Sequence, residues 1–174
     1  MLIEGLYNPA TNATVQDTVR VYARSNVNPY FIIDSAKGVI NSSGQVSVIF
    51  TQVQNGQPYY LQVKHRNSLE TWSKTTQTFT GSILNYDFTT SATKAFGDNM
   101  KQVDSSPVEF AVYSGDVNKD GTVDATDLAA IDNDAQNFVS GYVVTDLNGD
   151  SFIDGTDYSL ADNNATNFVS VVRP

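Results

Sequence analysis

The chain contains the stretch Asp116-Val-Asn-Lys-Asp-Gly-Thr-Val-Asp-Ala-Thr-Asp127, and thirty positions later it repeats the same acidic skeleton as Asp146-Leu-Asn-Gly-Asp-Ser-Phe-Ile-Asp-Gly-Thr-Asp157. Each stretch has oxygen-bearing side chains at positions 1, 3, 5, 9 and 12 of a twelve-residue loop, and position 7 can offer a backbone carbonyl. This is the spacing of an EF-hand calcium loop. The pattern predicts two bound Ca²⁺ ions. The predicted ligands are Asp116, Asn118, Asp120, Thr122 (backbone), Asp124 and Asp127 in the first loop, and Asp146, Asn148, Asp150, Phe152 (backbone), Asp154 and Asp157 in the second.

The repeat continues beyond the loops, because residues 132–140 recur as residues 162–170. After each loop, apolar residues fall at helical spacing and predict one short helix that reaches Phe138 or Phe168. The segments before the loops, 110–114 and 142–145, have the composition of extended chain, so the entering helix of a full EF-hand is missing. A unit used twice is expected to bury the apolar face of each half against the other.

A duplicated loop–helix unit with Asp at position 12 resembles the type I dockerin family, over about residues 114–174. That resemblance implies a small calcium-folded module of secreted bacterial proteins that docks onto a cohesin domain. It also implies that loop positions 10 and 11 and the exposed helix face carry partner recognition. The corresponding partner-binding residues are Thr126, Asp132, Asn133, Thr156, Asp162 and Asn163.

The chain departs from the family pattern in two ways. Its thirty-residue period is longer than the usual dockerin repeat, and Ser151 replaces the glycine of position 6. Because that position requires a left-handed backbone, a residue other than glycine costs about 1 kcal/mol or more there. We therefore expect the second loop to be the weaker calcium site.

The distribution of charge divides the chain into two regions, residues 1–113 and residues 114–174. The second region has two basic and eleven acidic residues (2 − 11 = −9), whereas the first has eight of each, so the whole net charge of −9 lies in the last third. Such a surface is a poor partner for nucleic acid or anionic membrane. The sequence has no cysteine and no apolar run long enough for a membrane span. It is typical of a segment of an extracellular, secreted or cell-surface protein.

Short alternating segments predict that residues 1–113 form an immunoglobulin-like or prealbumin-like β-sandwich, so the fold class is mainly β followed by a small α-helical unit. The predicted strands are 2–7, 19–23, 30–33, 46–50, 59–63, 84–88 and 108–112. Gly- and Pro-containing turn signals separate them. The stretch from Ser43 to Leu61 resembles the carboxypeptidase regulatory-like sandwiches of bacterial surface proteins, which implies a scaffold.

No catalytic constellation emerges from the sequence, and we expect no enzyme. His65 is the only histidine and continues the buried face of a predicted strand, which favours a structural, hydrogen-bonded role. Trp72, Tyr59 and Tyr60 could line a sugar-binding face, although aromatic residues in a sandwich more often belong to the core.

Two classes of function remain. The first is a non-catalytic, calcium-dependent interaction module, which either docks onto a cohesin-like protein or assembles with copies of itself. The apolar tail 168–174 favours self-assembly, because a strand-like end can pair with a sandwich edge. The alternative is a carbohydrate-binding or adhesion module in which calcium is structural and a polysaccharide is the ligand.

Overall fold

The computed structural model describes all residues, 1–174. Ten short strands and two α-helices follow one another along the chain, with three single-turn 3-10 helices between strands. The elements are β1 (Leu2–Ile3), β2 (Tyr7–Asn8), β3 (Ala13–Thr14), β4 (Asp17–Ser25), β5 (Ile32–Ile40), β6 (Pro58–Lys64), β7 (Thr71–Trp72), β8 (Gln77–Thr78), β9 (Lys101–Ser105), β10 (Val108–Val112), α1 (Ala125–Gln136) and α2 (Gly155–Thr166).

The larger sheet is built around β4, which pairs antiparallel with β5 on one side and with β6 on the other. β7 and β8 extend it beyond β6. Val19, Val21 and Ala23 alternate along β4 and are buried, as the period of two in the sequence predicts. The residues between them face the opposite side of the sheet.

A smaller sheet completes a sandwich-like arrangement. β1 runs parallel to β10, and β10 pairs antiparallel with β9. The main core lies between the two sheets, where Ile3 and Val112 meet Val19, Val21 and Val63. The mainly β architecture expected for the first region is therefore present.

Several predicted strand boundaries are wrong. Residues 46–50 and 84–88 form no strand, although Val46, Val48 and Phe88 pack on the core. Residues 2–7 split into β1, a 3-10 turn and β2, and the strand expected at 30–33 begins at Ile32 and extends to Ile40. Alternation reports which side chains are buried, but a strand also needs a backbone partner, which alternation does not reveal.

The C-terminal region has the predicted order of loop and helix, twice. Asp124 and Asp154 cap α1 and α2, and in each case the helix's third residue returns a hydrogen bond to the cap, which closes a capping box. A second core unites the two units through Val123, Ile131, Leu147, Ile153 and Ala161. The duplication thus buries its apolar faces internally.

Both helices end earlier than predicted. The backbone at Phe138 is left-handed (φ 53°), as it is at Phe168 (φ 55°). The amide of Val139 donates to the carbonyl of Asp134 at 3.0 Å, and that of Phe138 donates to Ala135 at 3.1 Å, which is the Schellman pattern of a helix C-terminus. The rings of Phe138 and Phe168 are 90% and 88% exposed, so the expectation that they continue the buried helical face is wrong.

The segment that leaves each helix supports the loop of the other unit. The Val171 amide donates to the Gly121 carbonyl at 2.8 Å, and the Gly141 amide donates to Ser151 at 2.8 Å. The tail therefore pairs with the first loop of its own chain and not with a strand of its own sandwich. Arg173 also reaches Glu70 of the first region, with Nε 2.7 Å from Oε1.

The two regions meet in an extensive junction. Leu69 belongs to the core of the C-terminal region, and a Cβ atom at Gly5 would overlap the Leu147 backbone. Polar contacts surround these apolar ones: Glu4 Oε2 accepts from Asn164 Nδ2 at 2.6 Å, and Asn67 Nδ2 donates to the Asp146 carbonyl at 2.8 Å. Sequence reasoning did not foresee this junction.

Candidate metal centre

The first acidic loop has an unpaired carboxylate oxygen at its base. Asp116 is 3% exposed, and its Oδ1 has no hydrogen-bond partner. Burial raises the pKa of Asp116 to about 6, and the negative charges of Asp127 and Asp120 act in the same direction, against the backbone amides of Gly121 and Lys119. A buried carboxylate oxygen is costly unless a proton or a cation compensates it.

Two successive side-chain-to-backbone turns shape each loop. Asn118 Oδ1 accepts from the Asp120 amide at 2.8 Å, and Asp120 Oδ1 accepts from the Thr122 amide at 2.9 Å. The second loop repeats both contacts through Asn148 and Asp150, at 2.9 Å and 2.8 Å. Polar side chains at alternate positions therefore curl both loops in the same way.

Left-handed backbone at positions 4 and 6 completes the curl. The residues there are Lys119 (φ 64°) and Gly121 (φ 94°) in the first loop, and Gly149 (φ 76°) and Ser151 (φ 70°) in the second. The prediction that Ser151 adopts the strained conformation usual for glycine is confirmed.

The position-12 carboxylates tie the start of each loop to the start of its helix. Asp127 accepts from the Val117 amide at 2.9 Å and from the Asp124 amide at 3.0 Å. Asp157 does the same with Leu147 at 2.7 Å and Asp154 at 3.0 Å. Burial raises the pKa of both carboxyl groups, and these amide hydrogen bonds oppose the shift.

The loops collect oxygen donors but do not bring three or more carboxylate or imidazole groups together at one point. Asn118 and Asn148 instead use their Nδ2 atoms to contact Asp120 and Asp150, each at 2.9 Å. The donor chemistry nevertheless fits calcium, because every predicted ligand atom is an oxygen and Asp116 Oδ1 is buried without a partner.

The base of the second loop has a different environment. Asp146 Oδ1 accepts from the Gly149 amide at 2.8 Å, and its Oδ2 lies 3.7 Å from Arg66 of the first region. Arg66 is itself held by Asp17 at 2.9 Å and stacks on the Tyr142 ring, with its guanidinium carbon 4.5 Å from the ring centroid. The positively charged side chain of Arg66, a residue of the first region, therefore lies beside the second loop. The sequence of the repeat does not predict this contact.

Arg66 is positioned by a buried carboxylate. Burial alone would raise the pKa of Asp17, but the His65 ring, whose Nε2 lies 3.1 Å from Oδ2, and hydrogen bonds from Arg66 and Tyr142 outweigh it and hold that pKa well below its usual range. His65 also contacts Ser68, with Nδ1 2.9 Å from Oγ, and is buried. The structural role expected for His65 agrees with this geometry.

The six residues assigned to partner recognition are all exposed. They lie at the first turn of each helix and one to two turns further along. The backbone amides of Thr126 and Thr156 donate to the cap residues Asp124 and Asp154, each at 2.7 Å, which leaves the two threonine side chains at the surface. Neither the sandwich nor the tail covers them.

The aromatic residues considered for sugar binding lie mainly inside the protein. Trp72 is 3% exposed and its Nε1 donates to Glu70 at 2.6 Å, and Tyr59 is 7% exposed. Tyr60 is partly buried and meets Trp72 edge-on. These rings form part of the core, so a sugar-binding face built on Trp72 and Tyr59 is excluded.

The polar residues of the junction were missed by sequence reasoning. Glu4 receives Lys101 Nζ at 3.0 Å as well as Asn164 Nδ2. The sequence does contain one sign of the junction: the first unit of the repeat has Asp134 at the position where the second unit has Asn164. An aspartate at 164 would place a second carboxylate against Glu4, so the change from Asp to Asn marks the unit that faces the sandwich.

Comparison with known proteins agrees with the loop geometry. A family model described as the dockerin type I domain matches residues 114–166. Dockerin domains are non-catalytic docking modules that bind calcium, and this part of the chain has their sequence pattern. A search of curated proteins gave no match. No helix of the chain has the length and apolarity required to cross a membrane.

One solved structure is similar over most of the chain. It is the crystal structure of a complex from Acetivibrio cellulolyticus, described as an N-terminal interface mutant of a type II cohesin–X–dockerin complex. The identity is 17%, the TM-score is 0.48, and the match covers 95% of this chain and 88% of the other.

Proposed function

We propose that the chain is an extracellular, non-catalytic docking module whose C-terminal region binds two calcium ions and then a cohesin-like protein. The observation that carries the proposal is the duplicated, exposed set of polar residues on two helices that begin directly at the acidic loops. The dockerin match over residues 114–166 supports the same function. The proposed calcium ligands are the twelve loop residues named from the sequence.

Calcium and docking are linked through the helix starts. Asp124 and Asp154 are proposed ligands and also cap α1 and α2. Thr126 and Thr156 lie two residues further on, so they are held in place by the same turn. Filling the loops therefore fixes the backbone that presents the threonines.

The two units present nearly equivalent surfaces. Thr126, Asp132 and Asn133 of the first unit recur as Thr156, Asp162 and Asn163, and all six are exposed. A partner can consequently meet either helix start or both together. Asn164 of α2, which contacts Glu4 of the sandwich, is buried, whereas its neighbours Asp162 and Asn163 are exposed.

The docking proposal is tested with the double variant Thr126→Arg/Thr156→Arg and a panel of purified cohesin domains. We expect a cohesin that binds the wild type in calcium to lose at least tenfold in affinity for the double variant, because two bulky charges enter the contact surface. Thr11→Arg, at an exposed turn of the first region, is the matched control. Calorimetry supplies both the docking affinity and the calcium affinity, and the latter should not change.

Two results would contradict the proposal. One is docking that persists in chelator, which separates partner binding from calcium. The other is docking that survives the double substitution and is lost on deleting residues 168–174, which moves the contact to the tail. The two-ion stoichiometry is checked separately by titrating the apo chain with calcium.

A further inference from the structure

A polar cleft lies at the junction of the two regions and takes no part in the proposed docking. Its volume is about 440 Å³, within the range of small-ligand sites. One wall is the face of the large sheet, and the opposite wall consists of the first acidic loop and the tail. Only three of its fifteen lining residues are hydrophobic, so a polar occupant is expected.

The cations of this acidic protein are concentrated around that cleft. Six of the ten basic residues line it: Arg20, Lys37, Lys64, Arg66, Lys119 and Arg173. Against them stand two lining carboxylates, Glu70 and Asp116, which leaves a local charge of 6 − 2 = +4 in a chain whose net charge is −9. A cleft with an excess of positive charge attracts anionic ligands.

Strand register aligns three of the cations in a row. Arg20 of β4 lies opposite Lys37 of β5 and opposite Lys64 of β6. Neighbouring strands are about 4.8 Å apart, so the row extends over about 10 Å. Like charges directly opposite one another destabilise a sheet, and an external anion would relieve that repulsion.

Only part of this positive charge is neutralised within the protein. Lys64 and Arg173 share Glu70, at 2.7 Å each, and Arg66 is paired with Asp17 at 2.9 Å. Arg20, Lys37 and Lys119 form no ion pair, and Arg20 NH1 contacts only the Ser35 hydroxyl, at 3.1 Å. The unpaired charges stand on both walls, Arg20 and Lys37 on the sheet and Lys119 on the loop.

We propose that this cleft binds an anionic carbohydrate, a short run of uronic-acid residues whose carboxylates meet the Lys37–Arg20–Lys64 row. A single small anion cannot reach three cations spread over about 10 Å, whereas a uronate chain carries one carboxylate per sugar. Thr18 and Tyr22 lie on the same face of β4 as Arg20 and line the cleft. A hydroxyl and an aromatic ring there suit sugar hydroxyls and a sugar face.

An acidic peptide fits this site less well. Extended peptides gain much of their affinity from main-chain hydrogen bonds at a free sheet edge. The row lies on a sheet face, and β4 is paired on both sides, by β5 and β6. The free edge of this sheet is the outer side of β5, away from β4, so a peptide paired there would not lie across the Lys37–Arg20–Lys64 row, and side chains alone contact a ligand on that face.

The test is calorimetric titration of the full chain, at constant free calcium, with a short oligomer of glucuronic acid. We expect saturable binding to one site that weakens as sodium chloride is added, since charge pairs at an open cleft are screened. The methyl ester of the same oligomer, which has the sugars without the charges, should not bind. Lys37→Gln should lower the affinity about tenfold through loss of one charge-assisted contact.

Controls make the outcome decisive. Lys94→Gln removes the same charge outside the cleft and should leave binding unchanged, and circular dichroism checks the fold of each variant. Because Lys37 is exposed, its replacement does not disturb the core. The proposal is overturned if the ester binds as well as the acid, if Lys37→Gln has no effect, or if neither oligomer binds. Binding of a polyglutamate peptide in place of the uronate would overturn the carbohydrate assignment.

Discussion

The two acidic loops have the same pattern of oxygen ligands, but their surroundings differ. The first loop has a buried, unpartnered oxygen on Asp116, and its outer support is the chain's own tail through Val171. The second loop rests on the sandwich, with Leu147 against Gly5 and the Asp146 carbonyl held by Asn67. Arg66 also lies 3.7 Å from its first carboxylate. The duplicated sequence thus yields two loops that are supported differently. We expect the structure of the first loop to depend mainly on its bound ion, and that of the second loop on its contacts with the sandwich.

The largest effect is expected from calcium removal. With micromolar sites at millimolar calcium, each ion contributes about 4 kcal/mol to stability. Chelator should therefore loosen residues 114–174, and amide exchange should accelerate more in the first loop, because the buried Asp116 Oδ1 has no partner in the protein that could replace the ion. Hydrogen exchange followed with and without calcium measures this difference. Equal acceleration in both loops would contradict the comparison.

The second test removes the scaffold's contact with the second loop. In Gly5→Ala the new methyl group meets the Leu147 backbone, with the carbonyl carbon 2.9 Å away. We expect a loss of about 1–3 kcal/mol in the free energy of unfolding, since overpacking against backbone cannot be relieved by a side-chain rotation. Denaturant unfolding measures it.

Gly155→Ala is the matched control, because no atom lies within 4 Å of the added methyl group and Gly155 begins a helix. The rate of amide hydrogen exchange in the second loop should rise toward that of the first loop in Gly5→Ala, but not in Gly155→Ala. Equal stability of the two variants would show that Gly5 is not a close contact.

The third test concerns the tail that supports the first loop. Burial alone would raise the pKa of Glu70, but hydrogen bonds from Arg173, Lys64 and Trp72 outweigh it and lower the pKa to about 2. A depressed carboxyl pKa stabilises the fold above the ordinary pKa near 4.5, and this stabilisation is lost as pH falls toward 2.

Glu70→Gln should accordingly be less stable than the wild type above about pH 5, by about 1–2 kcal/mol, a figure reduced because Lys64 and Arg173 are largely solvent-screened. The difference should shrink toward pH 2. Comparing the two proteins cancels the titration of the loop carboxylates, which they share. A difference independent of pH would show that the ion pairs of Glu70 with Arg173 and Lys64 contribute nothing.

The smallest effects come from exchanging the residues at position 6. Ser151→Gly should stabilise the second loop by about 1 kcal/mol, because glycine adopts φ near 70° without strain. The reciprocal Gly121→Ser should cost more, since its Cβ would also lie 2.8 Å from Val171 Cγ1. In Ser151→Gly, calcium titration should show that the affinities of the two loops are closer together than in the wild type. In Gly121→Ser, the calcium affinity of the first loop should fall toward or below that of the second. Identical affinities before and after would contradict the assigned role of position 6.

Local features were predicted well because neighbouring residues determine them. The acidic spacing, the short helix after each loop and the left-handed backbone at Ser151 all depend on short-range hydrogen bonds and sterics. The ends of the helices were predicted less well. Phe138 and Phe168 have the hydrophobicity of core residues, but each occupies the left-handed position where glycine usually terminates a helix.

By itself, the sequence determined the two acidic loops, their helices, their internal twofold relation and the mainly β character of residues 1–113, because periodicity and ligand spacing are properties of consecutive residues. Only the tertiary structure decided which unit faces the sandwich, where Arg66 lies and how Arg20, Lys37 and Lys64 align. Those relations depend on strand register and on contacts between residues far apart in the chain, such as Glu4 with Asn164. No local pattern records such contacts, because burial and register arise only when distant segments pack together.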